Sequence, residues 1–384
     1  MDFSLEESHE LLRESVREFL ERECPRDNVR QWDEQSIFPI EPWHAMGKLG
    51  WLGLPISEEY GGAGATPIDS VLVEEELTRR CGALGFALSL LSMISLLLQQ
   101  QGSETQKREL LPRLASGDLI IALAMTEPSG GTDVLALSTW GRRQGDRYIL
   151  NGQKSWISMA ACAQYFLLLA RTSNELRRSK GLTLFLVDAN APGVRVQPIK
   201  KVGAYKSVDS SEIFLSDVVV PTDQVVGNVG DGFKHLFALL DYERVAAAAL
   251  ALGNAGAAFE DARHYALERH AFGRPIGQFQ AIQHYVARMS VVIEQARWVT
   301  YRAAWLQTTG LPSELAALQA KVAATEMAAQ VTSDALRIFA SYGVAAEYDV
   351  QRYFRDARLG LFSPISNEMA LNVIAQQLGL PKSY

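Results

Sequence analysis

Two long helix-type regions that enclose a β-type region are the feature that most limits the possible folds of this chain. Helix-type hydrophobic spacing dominates residues 1–118 and 232–384, whereas short β-type runs fill residues 119–231. The predicted helices of the last region are long and rich in alanine, covering roughly 232–268, 278–308, 313–341 and 365–378. We therefore expect an α+β fold with an N-terminal α-helical domain, a middle antiparallel β domain and a C-terminal four-helix bundle, divided at these residues.

Local signals refine this organisation. Ser4 and Glu7 fit a capping box for the first helix. Asn151 and Gly152 lie between two β-type runs and predict a type I′ hairpin turn. The apolar stretch from Ala83 to Leu98 contains serines and is shorter than a bilayer-spanning helix, so we expect a buried core helix and no membrane span.

Composition excludes several classes of function. The net charge of −7 and a pI near 5.5 argue against a nucleic-acid-binding protein, which needs a basic face. Cys24, Cys81 and Cys162 show no CxxC spacing, which favours a reducing compartment. The sequence contains no HxxxH pair, so we expect no metal site. Since the first residues are acidic and lack a signal-peptide pattern, we expect a cytoplasmic protein.

Four segments carry recognisable motifs, in a fixed order along nearly the whole chain. Residues 50–62 read GWLGLPISEEYGG, 126–133 read TEPSGGTD, 150–158 read LNGQKSWIS and 266–276 read ALERHAFGRPI. Together they resemble the acyl-CoA dehydrogenase family. A glycine-rich loop such as 129–132 allows backbone N–H groups to approach an anion closely. The resemblance implies a flavoprotein that binds FAD and dehydrogenates an acyl thioester.

The same resemblance implies which residues contact FAD. On the flavin side these are Met125, Thr126, Gly131, Thr132, Trp156 and Ser158. Arg269 would reach the FAD pyrophosphate of a neighbouring subunit, and Phe272 and Gln280 would contact the cofactor's nucleotide half. This arrangement implies that the site is completed only in a dimer, and the resemblance implies a homotetramer built as a dimer of dimers.

Two further segments depart from the family pattern near the cofactor. Residues 337–343 read RIFASYG, so Ser341 and its neighbour Ala340 replace two glycines. Arg337 either compensates by pairing with the pyrophosphate or lies on the helix surface. Ser366 and Glu368 replace the threonine and glutamine expected near the flavin.

The catalytic base is predicted to be Glu243. Many relatives carry this carboxylate in a segment after RDA, but residues 355–357 here read RDA and the base position falls on Pro364, which cannot accept a proton. The isovaleryl- and long-chain-like members instead carry the base in an LxxER segment, and residues 240–244 read LDYER. Asp241 and Arg244 are expected to hold the substrate or to position Glu243, and Thr132 to contact the substrate.

Pro364 also lacks the backbone N–H that helps to bind the thioester carbonyl in the family. Losing one such donor costs about 3 kcal/mol of transition-state stabilisation in other enzymes. Either Ile365 donates instead, or the substrate presents a different atom. The alanines from Ala246 to Ala249 leave room for the acyl group only if the helix turns them towards it.

Three functions remain open at this point. The first is an acyl-CoA dehydrogenase that passes electrons to electron-transferring flavoprotein, with direct use of oxygen as the alternative acceptor. The second is a dehydrogenase of an acyl, hydroxyacyl or aminoacyl group tethered to an acyl carrier protein, because the departures cluster at the substrate carbonyl. The third is a non-catalytic flavoprotein or assembly factor on the same fold.

Overall fold

The N-terminal region of the protein is helical. The computed structural model describes residues 5–382, and the predicted cap residue Ser4 lies outside them. The helices are α1 (Glu7–Glu23), α2 (Arg26–Gln35), α3 (Ile40–Lys48), α4 (Pro67–Arg80), α5 (Gly82–Gln101) and α6 (Glu104–Ser116). α4 begins with a capping box formed by Thr66 and Asp69, with Pro67 at its first position. α2 gives little helix-type hydrophobic signal, because its charged sequence carries only two buried residues.

Helix α5 is the most apolar helix of the described chain. By length and composition alone it qualifies as a candidate membrane span, the one such helix within residues 5–382. However, 78% of its apolar window is buried inside the fold, where it packs against α4, α6 and α8. Burial of this kind is typical of a core helix.

The middle region forms an eight-stranded sheet in the order β6-β7-β3-β2-β4-β5-β8, with β1 beside β4. The strands are β1 (Ile121–Ala124), β2 (Trp140–Gln144), β3 (Arg147–Ser158), β4 (Tyr165–Arg171), β5 (Leu182–Asp188), β6 (Val194–Pro198), β7 (Ser210–Pro221) and β8 (Val225–Val226). The sheet is antiparallel except that β1 and the first residue of β2, Trp140, pair in parallel with β4.

The hairpin predicted at Asn151 and Gly152 is wrong. Both residues lie inside β3, where the register with β7 shifts between Leu150 and Gly152. The turn between β2 and β3 is formed by Gly145 and Asp146 instead. An Asn-Gly pair therefore marks a strand irregularity here: Gly152 has φ 150°, and a Cβ on it would lie 2.5 Å from Thr139 Oγ1.

The C-terminal region returns to helices. They are α7 (Gly232–Phe237), α8 (Leu240–Glu268), α9 (Gln280–Thr308), α10 (Glu314–Phe339), α11 (Val350–Ala357) and α12 (Asn367–Gln377). The predicted helix 232–268 is divided into α7 and α8. The break lies at Leu239, whose dihedral angles of φ −103° and ψ −3° depart from those of a regular α-helix. α8 packs tightly on α4: a Cβ on Gly253 would lie 2.2 Å from the carbonyl oxygen of Glu75.

These elements confirm the expected order of a helical region, a β region and a helical region. Small residues make the close approach of α8, α4 and α10 possible, since alanine supplies most of the buried positions of α8. The result is that α8 crosses the interior with one face towards α5 and the sheet. That face forms the wall of the cavity described next.

Candidate active site

A cavity of about 190 Å³ lies where α5 and α8 meet the sheet and the segment after α11. One face of α8 lines it along three turns, through Glu243, Ala247, Leu250, Ala251 and Asn254. These residues recur at the spacing of one helix face, which spans about 16 Å between the first and the last. Among the alanines 246–249, the helix therefore turns Ala247 to the cavity.

Glu243 lines this cavity and is partly buried. Burial raises the pKa of its carboxyl group to about 7, and the positive charge of Arg244 opposes that rise. A carboxyl group with this pKa accepts a proton most effectively near neutral pH. The position is therefore chemically suited to a general base.

Asp241 and Arg244 do not line the cavity. The guanidinium of Arg244 is buried and donates a hydrogen bond of 2.7 Å from Nη1 to Asp241 Oδ1. Both residues flank Glu243 in the first turns of α8. Their contact with substrate remains a prediction. The hydrogen bond between them fits the other expected role, which is to position Glu243 at the start of α8.

Residues of the two central motifs form the opposite wall. Met125, Thr126, Trp156 and Ser158 all line the cavity. The backbone of Trp156 lies in the left-handed region, with φ 61°, and its side chain is 59% exposed. An aromatic face left open beside two hydroxyl groups fits a flat heteroaromatic ring with polar edges.

A buried ion pair joins these two motifs. Lys154 Nζ lies 2.8 Å from Glu127 Oε1 and donates to the carbonyl oxygen of Met125 at 3.0 Å, and both charged side chains are buried. Ser138 and Thr139 donate three further hydrogen bonds to the Glu127 carboxylate. Burial alone would raise the pKa of Glu127, but Lys154 and these donors lower it. Neither residue was singled out from the sequence, although both lie inside the recognised motifs.

The segment after α11 closes the cavity with Ser363 and Pro364. Buried Lys321 of α10 fixes the next residues, because its Nζ donates to Ile365 O and to Asn367 Oδ1. Ile365, the predicted substitute donor, is not among the lining residues. Ser366 caps α12 through its hydroxyl oxygen, which accepts a hydrogen bond from Met369 N, and Glu368 is exposed.

The remaining predicted cofactor residues lie away from the cavity. Gly131 and Thr132 are exposed on the loop before β2. Arg269 follows α8, about 39 Å along the helix axis from Glu243. It lies over the ring of Tyr342 at 5.4 Å, so the segment that contains Ser341 lies beside it. Other exposed residues of the helical region are Phe272, Gln280 and Arg337, of which Phe272 is 95% exposed.

Several polar residues of the cavity were not singled out from the sequence, and three of them lie close to one another or to α8. Tyr205 comes from the loop between β6 and β7, Asn254 from α8, and Asp356 from α11. Asn254 stands eleven residues after Glu243, a spacing that places both on one helix face. Nothing in the sequence alone indicates that the loop and α11 reach the same cavity.

Comparison with known proteins accounts for this arrangement. Family models for the acyl-CoA dehydrogenase N-terminal, middle and C-terminal domains match residues 6–118, 122–218 and 230–379. The short-chain specific acyl-CoA dehydrogenase of Clostridium acetobutylicum is 37% identical over 360 residues, covering 94% of each chain.

Two solved structures are similar over almost their full lengths. The glutaryl-coenzyme A dehydrogenase glutaryl-CoA complex superposes with a TM-score of 0.95 at 35% identity, covering 100% of this chain and 98% of the other. The prolyl acyl carrier protein oxidase AnaB superposes with a TM-score of 0.92 at 28% identity, covering 98% of this chain and 100% of the other. The protein therefore belongs to the acyl-CoA dehydrogenase family and is an FAD-dependent oxidoreductase.

Proposed function

We propose that the protein removes two hydrogens from the CH–CH bond next to the carbonyl of an acyl thioester, with Glu243 as the base. The observation that carries this proposal is the position of Glu243, a carboxyl group that lines the same cavity as Trp156 and Ser158. Met125, Thr126, Trp156 and Ser158 would hold FAD, which would supply the hydride acceptor. Glu243 takes the α-proton onto a carboxylate oxygen, and the apolar walls around it exclude water from that transfer.

The main competitor for the role of base is Asp356, the other carboxyl group that lines the cavity. Its Oδ1 already accepts a hydrogen bond of 2.7 Å from the backbone N–H of Tyr205. Burial raises the pKa of Asp356 to about 6, and Arg352 opposes that rise. Glu243 has no comparable hydrogen bond within residues 5–382, which leaves both of its oxygens free to approach a substrate.

Anaerobic mixing with acyl-CoA thioesters tests the proposal, because reduction bleaches the yellow colour of the flavin. Glu243→Gln is expected to slow bleaching by at least roughly a hundredfold, the contribution of a positioned base. Glu18→Gln, which alters an exposed glutamate of α1, is the matched control and should bleach like the wild type. Bleaching of Glu243→Gln at the wild-type rate would show that another group is the base.

A second candidate substrate is an acyl group tethered to an acyl carrier protein. Pro364 lines the cavity without a backbone N–H, which removes one donor for a thioester carbonyl, and AnaB is named as an oxidase of such a tethered group. Parallel assays with the same acyl group on coenzyme A and on a carrier protein discriminate between the two. Turnover of free acyl-CoA alone would eliminate the carrier version.

We further propose a cytoplasmic homotetramer that passes its electrons to an electron-transferring flavoprotein. The exposure of Arg269 and Phe272, far from their own chain's cavity, supports a contact with a second subunit's cofactor. Val291 and Trp305, both more than half exposed on α9, provide apolar surface for the subunit contact. Sedimentation of the FAD-loaded protein measures the assembly, and reduction of purified electron-transferring flavoprotein measures the acceptor.

A further inference from the structure

The end of the cavity away from Glu243 is polar. Tyr205, Asn254 and Asp356 line it, and each is no more than 6% exposed. The face of α8 leads from Glu243 to Asn254 past Ala247, Leu250 and Ala251, so the two polar ends are separated by an apolar middle. Buried polar groups are normally hydrogen-bonded, and an unsatisfied one is costly.

Asn254 and Asp356 use only part of the polar capacity of their side chains, and Tyr205 is bonded through its backbone N–H alone. The backbone N–H of Tyr205 donates to Asp356 Oδ1 at 2.7 Å, and Asn254 Nδ2 donates to the carbonyl oxygen of Tyr353 at 3.0 Å. Within residues 5–382, Tyr205 Oη, Asn254 Oδ1 and Asp356 Oδ2 have no hydrogen-bond partner. Two of these three atoms are pure acceptors, and the phenol can donate or accept.

The tyrosine is held rigidly in place. Its ring stacks on Phe86 of α5 with centroids 5.0 Å apart and planes inclined by 20°. A Cβ added to Gly82, one turn before Phe86 on α5, would lie 2.6 Å from the Tyr205 ring, so α5 packs directly against it. Polar atoms held this firmly are suited to select a ligand group by geometry.

We propose that this polar end recognises a hydrogen-bond donor on the far part of the substrate's acyl group, a hydroxyl or a protonated amine. The inference rests on the proposed function, since it assumes that the acyl group extends from Glu243 along α8. The acceptors disfavour a plain alkyl end, which leaves them unpaired. They also disfavour a terminal carboxylate, which would meet Asp356.

Binding to Glu243→Gln tests this inference separately from turnover. The ligands are coenzyme A thioesters of equal length that end in a hydroxyl, an ammonium, a methyl or a carboxylate group. Binding is followed by the change in the flavin absorption spectrum. The hydroxyl or the ammonium thioester is expected to bind at least roughly tenfold more tightly than the methyl thioester. Whichever of the hydroxyl and ammonium thioesters binds more tightly identifies the preferred donor group.

Single-residue variants test whether the polar end of the cavity causes this preference for a hydrogen-bond donor. Tyr205→Phe keeps the stack on Phe86, and Asn254→Leu replaces the amide with an apolar group of similar size. Each should reduce the preference for the donor by roughly fivefold or more. Ser89→Ala is the matched control, because the Ser89 hydroxyl lines the cavity but already donates to Phe86 O at 2.8 Å. Melting temperatures verify that the variants are folded.

The outcomes separate the two proposals. Equal or tighter binding of the methyl or the carboxylate thioester overturns the inference, as does a preference that survives in both Tyr205→Phe and Asn254→Leu. Failure of every thioester to bleach the wild-type flavin overturns the proposed function, while the order of affinities in Glu243→Gln still decides whether the polar end selects a donor.

Discussion

The buried pair of Glu127 and Lys154 should respond asymmetrically to the loss of either charge. Glu127→Gln leaves the Lys154 ammonium buried with Met125 O as its remaining backbone acceptor. Removal of one partner from a buried ion pair costs about 3–5 kcal/mol. Lys154→Met instead leaves a carboxylate that still accepts three hydrogen bonds, from Ser138 N, Ser138 Oγ and Thr139 N. We expect that cost to be smaller, about 1–3 kcal/mol.

The double variant makes the reasoning quantitative. When Lys154 is already methionine, Glu127→Gln no longer strands an ammonium, so its additional cost should fall to about 1 kcal/mol. The same ion pair links the motif at residues 126–133 to the motif at residues 150–158. A hydrogen bond of 2.9 Å from Ser155 N to Thr126 O links the same two motifs. Glu127→Gln should therefore weaken FAD binding more than Lys154→Met does.

Thermal unfolding of the four proteins, with FAD titration of each, measures these differences. A control is Lys180→Met, which breaks the exposed ion pair with Asp231 and should change the melting temperature little. The reasoning is refuted if Lys154→Met lowers the melting temperature as much as Glu127→Gln, or if the two costs simply add in the double variant.

Two further predictions follow from buried carboxyl groups. The pKa of Glu243 is raised to about 7, so kcat/KM for anaerobic flavin reduction should rise with pH and level off above 7, falling about tenfold at pH 6; a flat profile from pH 5.5 to 8 would contradict this. Glu74 is fully buried with Oε1 unpartnered, and burial raises its pKa from 4.5 to about 8. The folded state thus retains a proton that the unfolded state releases, so stability falls as pH rises from 4.5 to 8, by about 3 kcal/mol between pH 4.5 and 7. Glu74→Gln should flatten the melting temperature against pH over this window, and equal slopes for both proteins would count against the assignment.

The helical and β regions were predictable because their hydrophobic periods differ and persist over many residues. Short elements could not be predicted in the same way. The helix α11 has only eight residues, and its contribution to the cavity depends on the contact of Asp356 with the distant loop that holds Tyr205. The Asn151-Gly152 signal failed since pairing with β7 extends β3 through it, so tertiary contacts overrode a local turn preference.

The candidate site was predictable where a motif or a helix period carried it. The LDYER segment indicated Glu243, and the structure turns that residue into the cavity. The phase of α8, which selects Ala247 and Asn254, could not be read from a run of alanines because alanine fits either face. Tyr205 escaped notice because a residue outside regular structure has no period to reveal which way it points.

The length of α8 has a consequence for the assembled enzyme. A single unbroken helix carries Glu243 at its start and ends next to Arg269, which in the proposed tetramer serves another subunit. Each cofactor would then be held from both sides of a subunit boundary, so separating the subunits also divides every binding site. Retention of FAD should consequently depend on total protein concentration, and dilution should release flavin and weaken the assembly together.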